Sequence, residues 1–304
     1  MAEIINKEAI TRRQFWVEEI RKISGNFGED TDRLQMEIDS EIQKHGESIM
    51  VDHLRLCGDI PESYIHDSTE EKLYSKYTDM VLAESFKVIG LKSLVIIERA
   101  DVADVEVFGN TYDFVADAKS FRLSRTAKNQ KDFKIQAMDG WKHGKKYAMV
   151  VCPIYQLPSS SSQIYQQASS RNVCIFTYSH LSMIVSFALL EGKESAQKLL
   201  NEIFKIIPAL NTSKSASGYW IPINKTILEF SDKLEELWQK EKQASLESIA
   251  IAKEEALTFL ANERAKIMKM SHKEALVELV RVHKLESRIE KIKSVCDNGL
   301  LELR

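Results

Sequence analysis

The middle of the chain alternates short apolar segments with helical segments, and this order limits the folds available to it. Three apolar segments have the length and the β-branched or aromatic content of buried strands: Phe114–Ala116, Tyr147–Cys152 and Val173–Tyr178. Helices are predicted between them, over about 127–142 and 160–170. Because strands joined by helices usually pair in parallel, the sequence predicts an α/β protein whose central mixed sheet contains parallel strands.

Two more strands and one capped helix precede this alternation. Leu94–Ile97 is a short apolar run, and Val105–Phe108 alternates apolar and polar residues. Ser68 and Glu71 have the spacing of a capping box, which predicts a helix that begins there and continues to about Val88. The sheet is therefore expected to have five strands with a long helix ahead of them.

The segments on both sides of this α/β core are predicted to be mostly helical. The predicted regions are an N-terminal helical region over 1–67, the core over 68–195, and a C-terminal helical region over 196–304, packed with the core as one unit. Pro208, Ser213–Gly218 and Pro222 are expected to lie in loops, because Gly and Pro interrupt helices. Flanking helices of this kind would cover the faces of the sheet.

No segment suggests a membrane protein or an exported one. The N-terminal residues lack a continuous apolar stretch, and no apolar run approaches the roughly 18 to 20 residues that span a bilayer. The four cysteines are far apart and form no CxxC pair, which disfavours a zinc site or a disulfide framework. We therefore expect a cytoplasmic protein without membrane contact.

Charged side chains cluster where one of the predicted strands ends. Asp117 and Lys119 follow Phe114–Ala116, and residues two apart in a strand point to the same face. Asp104 lies beside the preceding strand, with Glu98 and Glu106 as competing candidates. Two carboxylates on adjacent strands beside a lysine form an oxygen-rich site of the kind that binds Mg²⁺ together with phosphate oxygens. Such a site can hydrolyse a phosphodiester.

The segment after this acid–lysine pair is strongly basic. From Asp117 to Lys146 there are nine cations and three acids, so the segment carries a net charge of +6 in a chain whose net charge is −3. A basic patch in a slightly acidic protein is typical of a polyanion-binding site. A charged run can also be an ordinary solvated surface, but the acid–lysine pair at its start favours nucleic acid binding coupled to hydrolysis.

These motifs resemble a known family. The pattern of Asp104, Asp117 and Lys119, the run Val115–Lys134 and, more loosely, Ser68–Lys76 are similar to the HindIII-like type II restriction endonucleases of the PD-(D/E)xK nuclease superfamily. Gln163–Ile164–Tyr165–Gln166–Gln167 extends the likeness, which covers the central third of the chain well and the flanks poorly. The resemblance implies a central mixed sheet of the nuclease type flanked by helices.

The family also implies an activity. Its members act as homodimers on double-stranded DNA, and the likeness implies Mg²⁺-dependent cleavage of both strands of the palindrome AAGCTT, leaving 5′-phosphate ends. A methyltransferase would be the functional companion, without implied physical contact. Two other functions stay open: a sequence-specific DNA-binding protein that has lost catalysis, and a nuclease of the same superfamily with a different target. A helical interaction protein with an α/β scaffold is a third alternative.

The resemblance assigns roles to individual catalytic and metal-binding residues. Asp117 and Lys119 match the second acid and the lysine of the motif, and Asp104 matches the first acid, although Ala103 replaces the usual proline. The predicted catalytic residues are Asp104, Asp117 and Lys119; the predicted metal ligands are Asp104, Asp117 and the backbone carbonyl of Ala118, with Glu71 or Glu98 as further candidates. For Glu71, a role in helix capping is an equal alternative.

Sequence recognition is expected to lie in the segment from Lys128 to Lys131, which we call the recognition segment. Asn129 can bind adenine through two hydrogen bonds, and Lys131 can donate to guanine. Arg122 and Arg125 are expected to hold phosphates. The residues predicted to contact DNA are Arg122, Arg125, Lys128, Asn129, Lys131, Asp132 and Lys134.

Overall fold

The computed structural model describes residues 3–96, 102–125, 130–210 and 213–294. Packing divides the chain into two compact units, Met1–Ala256 and Leu257–Arg304. The division into the regions 1–67, 68–195 and 196–304 stays a prediction. Among the described residues, no helix combines the length and the apolar character that crossing a membrane requires.

The first unit contains a five-stranded mixed sheet, as the sequence predicts. The strands lie in chain order across the sheet. Strand β2 is antiparallel to its neighbours β1 and β3, whereas β3, β4 and β5 are parallel. Their bounds are Lys92–Val95 (β1), Val105–Phe108 (β2), Asp113–Ala118 (β3), Tyr147–Cys152 (β4) and Val173–Thr177 (β5). Every residue of β4 and β5 is buried, as expected for parallel strands covered by helices on both faces.

Helices surround this sheet. The helices ahead of it are Lys7–Ile20 (α1), Phe27–His45 (α2), Ile49–Leu56 (α3) and Thr69–Val88 (α4). Those between strands and just after the sheet are Gln130–Phe133 (α5), Ile135–Trp141 (α6), Gln163–Ser170 (α7), Tyr178–Glu191 (α8) and Lys193–Ile206 (α9). The remaining helices are Ala216–Phe230 (α10), Lys233–Lys269 (α11), His272–Val282 (α12) and Leu285–Lys293 (α13).

Helix α4 is the element that places side chains behind the sheet edge. It begins after Ser68, whose hydroxyl accepts a hydrogen bond from the Glu71 backbone N–H (3.3 Å), so the predicted start and end of this helix are confirmed. The helix packs against β1, β2 and β3. Phe86 on α4 meets Phe114 on β3 edge to face, with ring centroids 5.1 Å apart. This packing fixes the rotation of α4 about its axis relative to β3.

Several predicted boundaries differ from the observed ones. Strand β1, expected over Leu94–Ile97, spans Lys92–Val95, and β5, expected to reach Tyr178, ends at Thr177. The helix expected over 127–142 is described from Gln130 as two helices, because Lys134 has a left-handed backbone (φ +47°) that a continuous helix cannot include. Strand β3 continues two residues past Ala116, so Asp117 lies inside the strand. Pro222, expected in a loop, lies within α10.

The packing of α10 explains why it tolerates Pro222. Tyr219, Ile223 and Ile227 lie at helical spacing and are all buried. This apolar face stabilises the helix, and it outweighs the interior hydrogen bond that proline removes.

The second unit is helical throughout its described part. It contains the end of α11 together with α12 and α13, which contact each other. Helix α12 opens with a capping box between Ser271 and Glu274. No side chain of α12 or α13 is buried.

Candidate active site

The last residues of β3 bring an acid and a lysine together. Asp117 is only 1% exposed, and its carboxylate forms an ion pair with the Lys119 ammonium, as their shared strand face predicts. The Lys119 backbone N–H donates to the Val151 carbonyl (2.8 Å), so β3 remains paired with β4 at this point. The sheet therefore holds both side chains on a paired backbone.

Asp104 lies directly opposite Asp117 in the sheet register. Val105, the first residue of β2, pairs with Ala116 of antiparallel β3, and this places Asp104, just before β2, beside Asp117, to which it is hydrogen-bonded. The Asp104 carbonyl accepts a hydrogen bond from the Ile96 N–H (2.8 Å), which fixes the Asp104 backbone against the chain after β1. Of the candidates for the first acid, Asp104 is thus placed beside Asp117 by backbone pairing.

Helix α4 adds a second acid–lysine pair, which the sequence analysis missed. Asp79 is 3% exposed, and Lys76 donates to its carboxylate (Nζ–Oδ2, 3.1 Å). Asp79 acts electrostatically on both Asp104 and Asp117. The sequence does contain a signal for Asp79, because this ionisable residue adjoins the apolar run 80–83, and a charged residue on a buried helix face needs a partner.

The pKa values reflect three acids packed around two lysines. Burial, with the nearby Asp79 and Asp117, raises the pKa of Asp104, and burial also raises the pKa of Asp79. Burial acts to raise the pKa of Asp117 as well, but Lys119 outweighs it and the net shift is downward. Burial acts to lower the pKa of Lys119, but Asp117 and Asp104 outweigh it, so the net shift is upward. In the metal-free protein Lys119 is a firmly protonated cation.

The cluster suits a divalent cation. Both carboxylate oxygens of Asp117 are buried, and the carboxylate interacts with the Lys119 ammonium and the Asp104 carboxyl group. The neighbouring acids Asp104 and Asp79 add further oxygen donors and leave the cluster with more acids than cations. A donor set made only of oxygen atoms matches the preference of Mg²⁺. Asp104 and Asp117 could hold such an ion, with Asp79 as a neighbouring acid on α4, and Ala118 is the last residue of β3.

The other acids that the sequence offered for the metal site, Glu71 and Glu106, have partners elsewhere. The Glu71 carboxylate accepts from the Asp67 backbone N–H (2.6 Å), approaches His66 (3.2 Å) and pairs with Arg122 (3.2 Å). These contacts match the capping alternative for Glu71. Glu106 forms an ion pair with Lys145. Glu98 lies outside the described residues.

The predicted DNA contacts lie in and after the loop that follows β3. Arg122 donates to the Tyr64 carbonyl (2.7 Å) as well as pairing with Glu71. Arg125 pairs with Asp132 (2.5 Å) and lies over the Phe121 ring at 5.0 Å. Both guanidinium groups are therefore held by protein partners before any phosphate is bound.

Lys134 lies near the carboxylate cluster. Its charge contributes to the lowered pKa of Asp117, and its Nζ lies 5.3 Å from the centre of the Trp141 ring. Lys128 and Asn129 lie outside the described residues, and for Lys131 only the backbone is described. The structure thus brings Asp104, Asp117 and Lys119 together and adds Asp79 to them.

Comparison with known proteins shows the family to which this chain belongs. A family model described as the HindIII restriction endonuclease matches residues 13–296. The chain belongs to this family. The type II restriction enzyme HindIII of Haemophilus influenzae is 34% identical over 262 residues, which cover 84% of this chain and 86% of that enzyme. The likeness is wider than the central third expected from the motifs.

Membership of the HindIII family settles the general activity. The protein is a type II site-specific deoxyribonuclease, and restriction enzymes act on double-stranded DNA. Restriction endonucleases are generally metal-dependent, in keeping with the oxygen-rich cluster at the end of β3. The helices and the five-stranded mixed sheet are consistent with a nuclease-type fold.

Proposed function

We propose that this protein cleaves both strands of DNA at AAGCTT in a Mg²⁺-dependent reaction that leaves 5′-phosphate ends. The observation that carries the proposal is the cluster of Asp104, Asp117 and Lys119, which lies immediately before the basic segment that continues to Lys146. The target rests on the resemblance of the recognition segment to that of HindIII. Asn129 and Lys131 have the hydrogen-bonding groups that suit adenine and guanine.

Each residue of the cluster has a proposed role in hydrolysis. Asp104 and Asp117 would hold Mg²⁺ through carboxylate oxygens, with Asp79 and the Ala118 carbonyl as further donors. A bound magnesium ion neutralises phosphate charge and lowers the pKa of a coordinated water. Lys119 follows β3 directly and pairs with Asp117, and we assign it the positioning of the attacking water.

The arginines after β3 are proposed to bind the DNA backbone. Arg122 and Arg125 each have an acidic partner, Glu71 and Asp132 respectively, and phosphates would compete with these acids. Lys128, Asp132 and Lys134 complete the proposed contact surface around the recognition segment. Arg125 is the more exposed of the two arginines, so its ion pair is the easier one to replace.

A plasmid with one AAGCTT site tests the proposal. With Mg²⁺ we expect a single linear product, and with EDTA we expect none. The ends should religate with a DNA ligase, which requires a 5′-phosphate. A matched plasmid whose site differs by one base pair is the control. Cleavage of both plasmids alike would contradict the target, and binding to AAGCTT without cleavage would favour the catalytically silent alternative.

We also propose that the enzyme works as a homodimer, since a palindrome presents two equivalent strands. A second copy would cover the apolar residues of α12, which are between 38% and 63% exposed: Leu276, Val277, Leu279, Val280 and Val282. Helix α12 has two acids and two bases, and a surface with both signs can be complementary to itself. The companion methyltransferase belongs to the proposal through the family alone.

Replacing Leu276 and Leu279 with Glu should convert a dimer to a monomer. Two carboxylates buried in a two-fold apolar contact would be strongly unfavourable, and dissociation is expected to rise at least about 100-fold. Sedimentation velocity at micromolar concentration measures this change, and circular dichroism checks the helix content. Lys225→Glu, which reverses an exposed charge on α10 and not on α12, is the control. A wild type that sediments as a monomer would contradict the proposal.

A further inference from the structure

The loop after the catalytic strand is held from one side by the segment between α3 and α4. The Phe121 N–H donates to the Gly58 carbonyl (3.0 Å), and the Ile60 N–H donates to the Phe121 carbonyl (3.3 Å). Asp59 and Phe121 thereby form a parallel β-bridge. This contact anchors the loop three to four residues after Asp117, well before the recognition segment.

Glu62 extends this anchor towards the recognition segment. The Ser124 backbone N–H donates to one Glu62 carboxylate oxygen (2.9 Å), and the Ser124 hydroxyl donates to the other (2.9 Å). Hydrogen bonds to a carboxylate are among the stronger ones, and two together fix direction as well as distance. The chain is thus oriented four residues before Lys128.

The opposite side of the loop is held by residues that follow β4. The Tyr155 hydroxyl lies 3.1 Å from the Phe121 carbonyl oxygen, and the Gln156 amide donates to the Arg125 carbonyl (3.0 Å). These bonds fix the backbone at Phe121 and at Arg125, and Glu62 holds Ser124 between them. Ser124 is exposed, so Glu62 holds a part of the loop that packing does not hold.

A carboxylate in this place requires an explanation. It lies next to a basic segment, where it lowers the local positive potential and so opposes DNA binding. We infer that the hydrogen bonds of Glu62 offset this unfavourable effect on DNA binding by ordering the loop. The two bonds to Ser124 use both Glu62 oxygens for that purpose.

We propose that Glu62 is a positioning residue which, by holding Ser124, sets the direction in which the recognition segment enters the DNA and so sets sequence discrimination. The inference rests on the proposed function. Asp117 and Lys119 are held by the paired strand β3 and do not depend on Glu62. Base-edge hydrogen bonds require placement within about 0.5 Å, so loosening the loop affects discrimination more than chemistry.

Glu62→Ala should therefore lower discrimination more than rate. We expect the ratio of single-turnover cleavage at AAGCTT to cleavage at sites with one changed base pair to fall about 10- to 100-fold. The rate at AAGCTT itself should fall less than about 10-fold. Ser124→Ala removes one of the two bonds and should give a smaller loss. In the Glu62→Ala/Ser124→Ala double variant, the fold-loss of discrimination should be smaller than the product of the two single-variant fold-losses, because both substitutions act through one contact.

Trypsin digestion of the DNA-free protein gives a readout that does not require cleavage. Glu62→Ala should accelerate cutting after Arg125 and Lys128, since Ser124 is no longer held, whereas Tyr155 and Gln156 still hold Phe121 and Arg125. Glu70→Ala, which removes a nearby acid from the start of α4, is the control for charge and should change neither measurement. If wild type cleaves no DNA, the proposed function fails while digestion still tests the contact. Unchanged digestion, or unchanged discrimination with faster digestion, would overturn the inference.

Discussion

Lys119→Ala is expected to abolish plasmid cleavage at AAGCTT, with a loss of at least about 100- to 1,000-fold in single-turnover rate. Lys119 is a protonated cation held beside Asp117 and Asp104, and its raised pKa reflects both acids once they outweigh the opposing effect of burial. Alanine removes the ammonium group to which we assign the positioning of a water next to these acids. The affinity for AAGCTT should change far less, because most of the proposed phosphate contacts come from later residues of the basic segment.

The control for this substitution is Lys146→Ala. Lys146 belongs to the same basic segment, is exposed and lies over the Tyr147 ring at 4.9 Å. Both variants lose one positive charge, so a drop in DNA affinity that both share reports the loss of charge. A drop in cleavage rate seen only for Lys119→Ala reports a role in catalysis. Binding is followed by fluorescence anisotropy with Ca²⁺ or EDTA. A Lys119→Ala enzyme that cleaves at near wild-type rate would remove this lysine from the mechanism.

The sheet could be predicted from the sequence because its signals are local. Tyr147–Cys152 and Val105–Phe108 were predicted with the observed bounds, since continuous or alternating apolar residues define strands directly. The pairing of Asp117 with Lys119 also follows from strand alternation alone. Helix α4 was predicted from its cap and its apolar periodicity.

Features that depend on distant residues could not be predicted in this way. The position of Asp104 opposite Asp117 depends on the register of β2 against β3, which is set by the hairpin between them. Asp79 joins the cluster through the packing of α4 on the sheet, which a single helix does not specify. The partners of Arg122, Tyr64 and Glu71, likewise come from residues more than fifty positions earlier.

The second large effect is expected for Asp104→Asn, which should abolish cleavage and yet stabilise the metal-free protein at neutral to alkaline pH. Burial with Asp79 and Asp117 nearby raises the pKa of Asp104 above its unfolded value of about 3.9. Between these two pKa values the folded state binds more protons than the unfolded state, so Asp104 makes stability fall as pH rises through that window. Asparagine cannot ionise, so the Asp104→Asn protein does not lose stability in this way as pH rises.

The stability difference between Asp104→Asn and wild type should therefore grow with pH. In EDTA we expect it to be small near pH 4 and to reach about 1–3 kcal/mol near pH 8, measured by urea unfolding. Asp113→Asn, at the start of β3, is the matched control. Asp113 accepts from the Gly109 N–H (3.0 Å), a bond that an asparagine oxygen can also accept. Its stability should follow wild type at every pH.

Magnesium separates a metal-binding role of Asp104 from a merely structural one. An ion that binds the folded state stabilises it in proportion to the logarithm of its concentration. Wild type and Asp113→Asn should therefore gain stability as Mg²⁺ is added at pH 8, and Asp104→Asn should gain little. The ion must displace the proton that the raised pKa keeps on Asp104, so the gain in wild type should increase with pH. An Asp104→Asn protein that Mg²⁺ stabilises as strongly as wild type would exclude Asp104 as a ligand and leave Asp79 and Asp117 as the acids of the site.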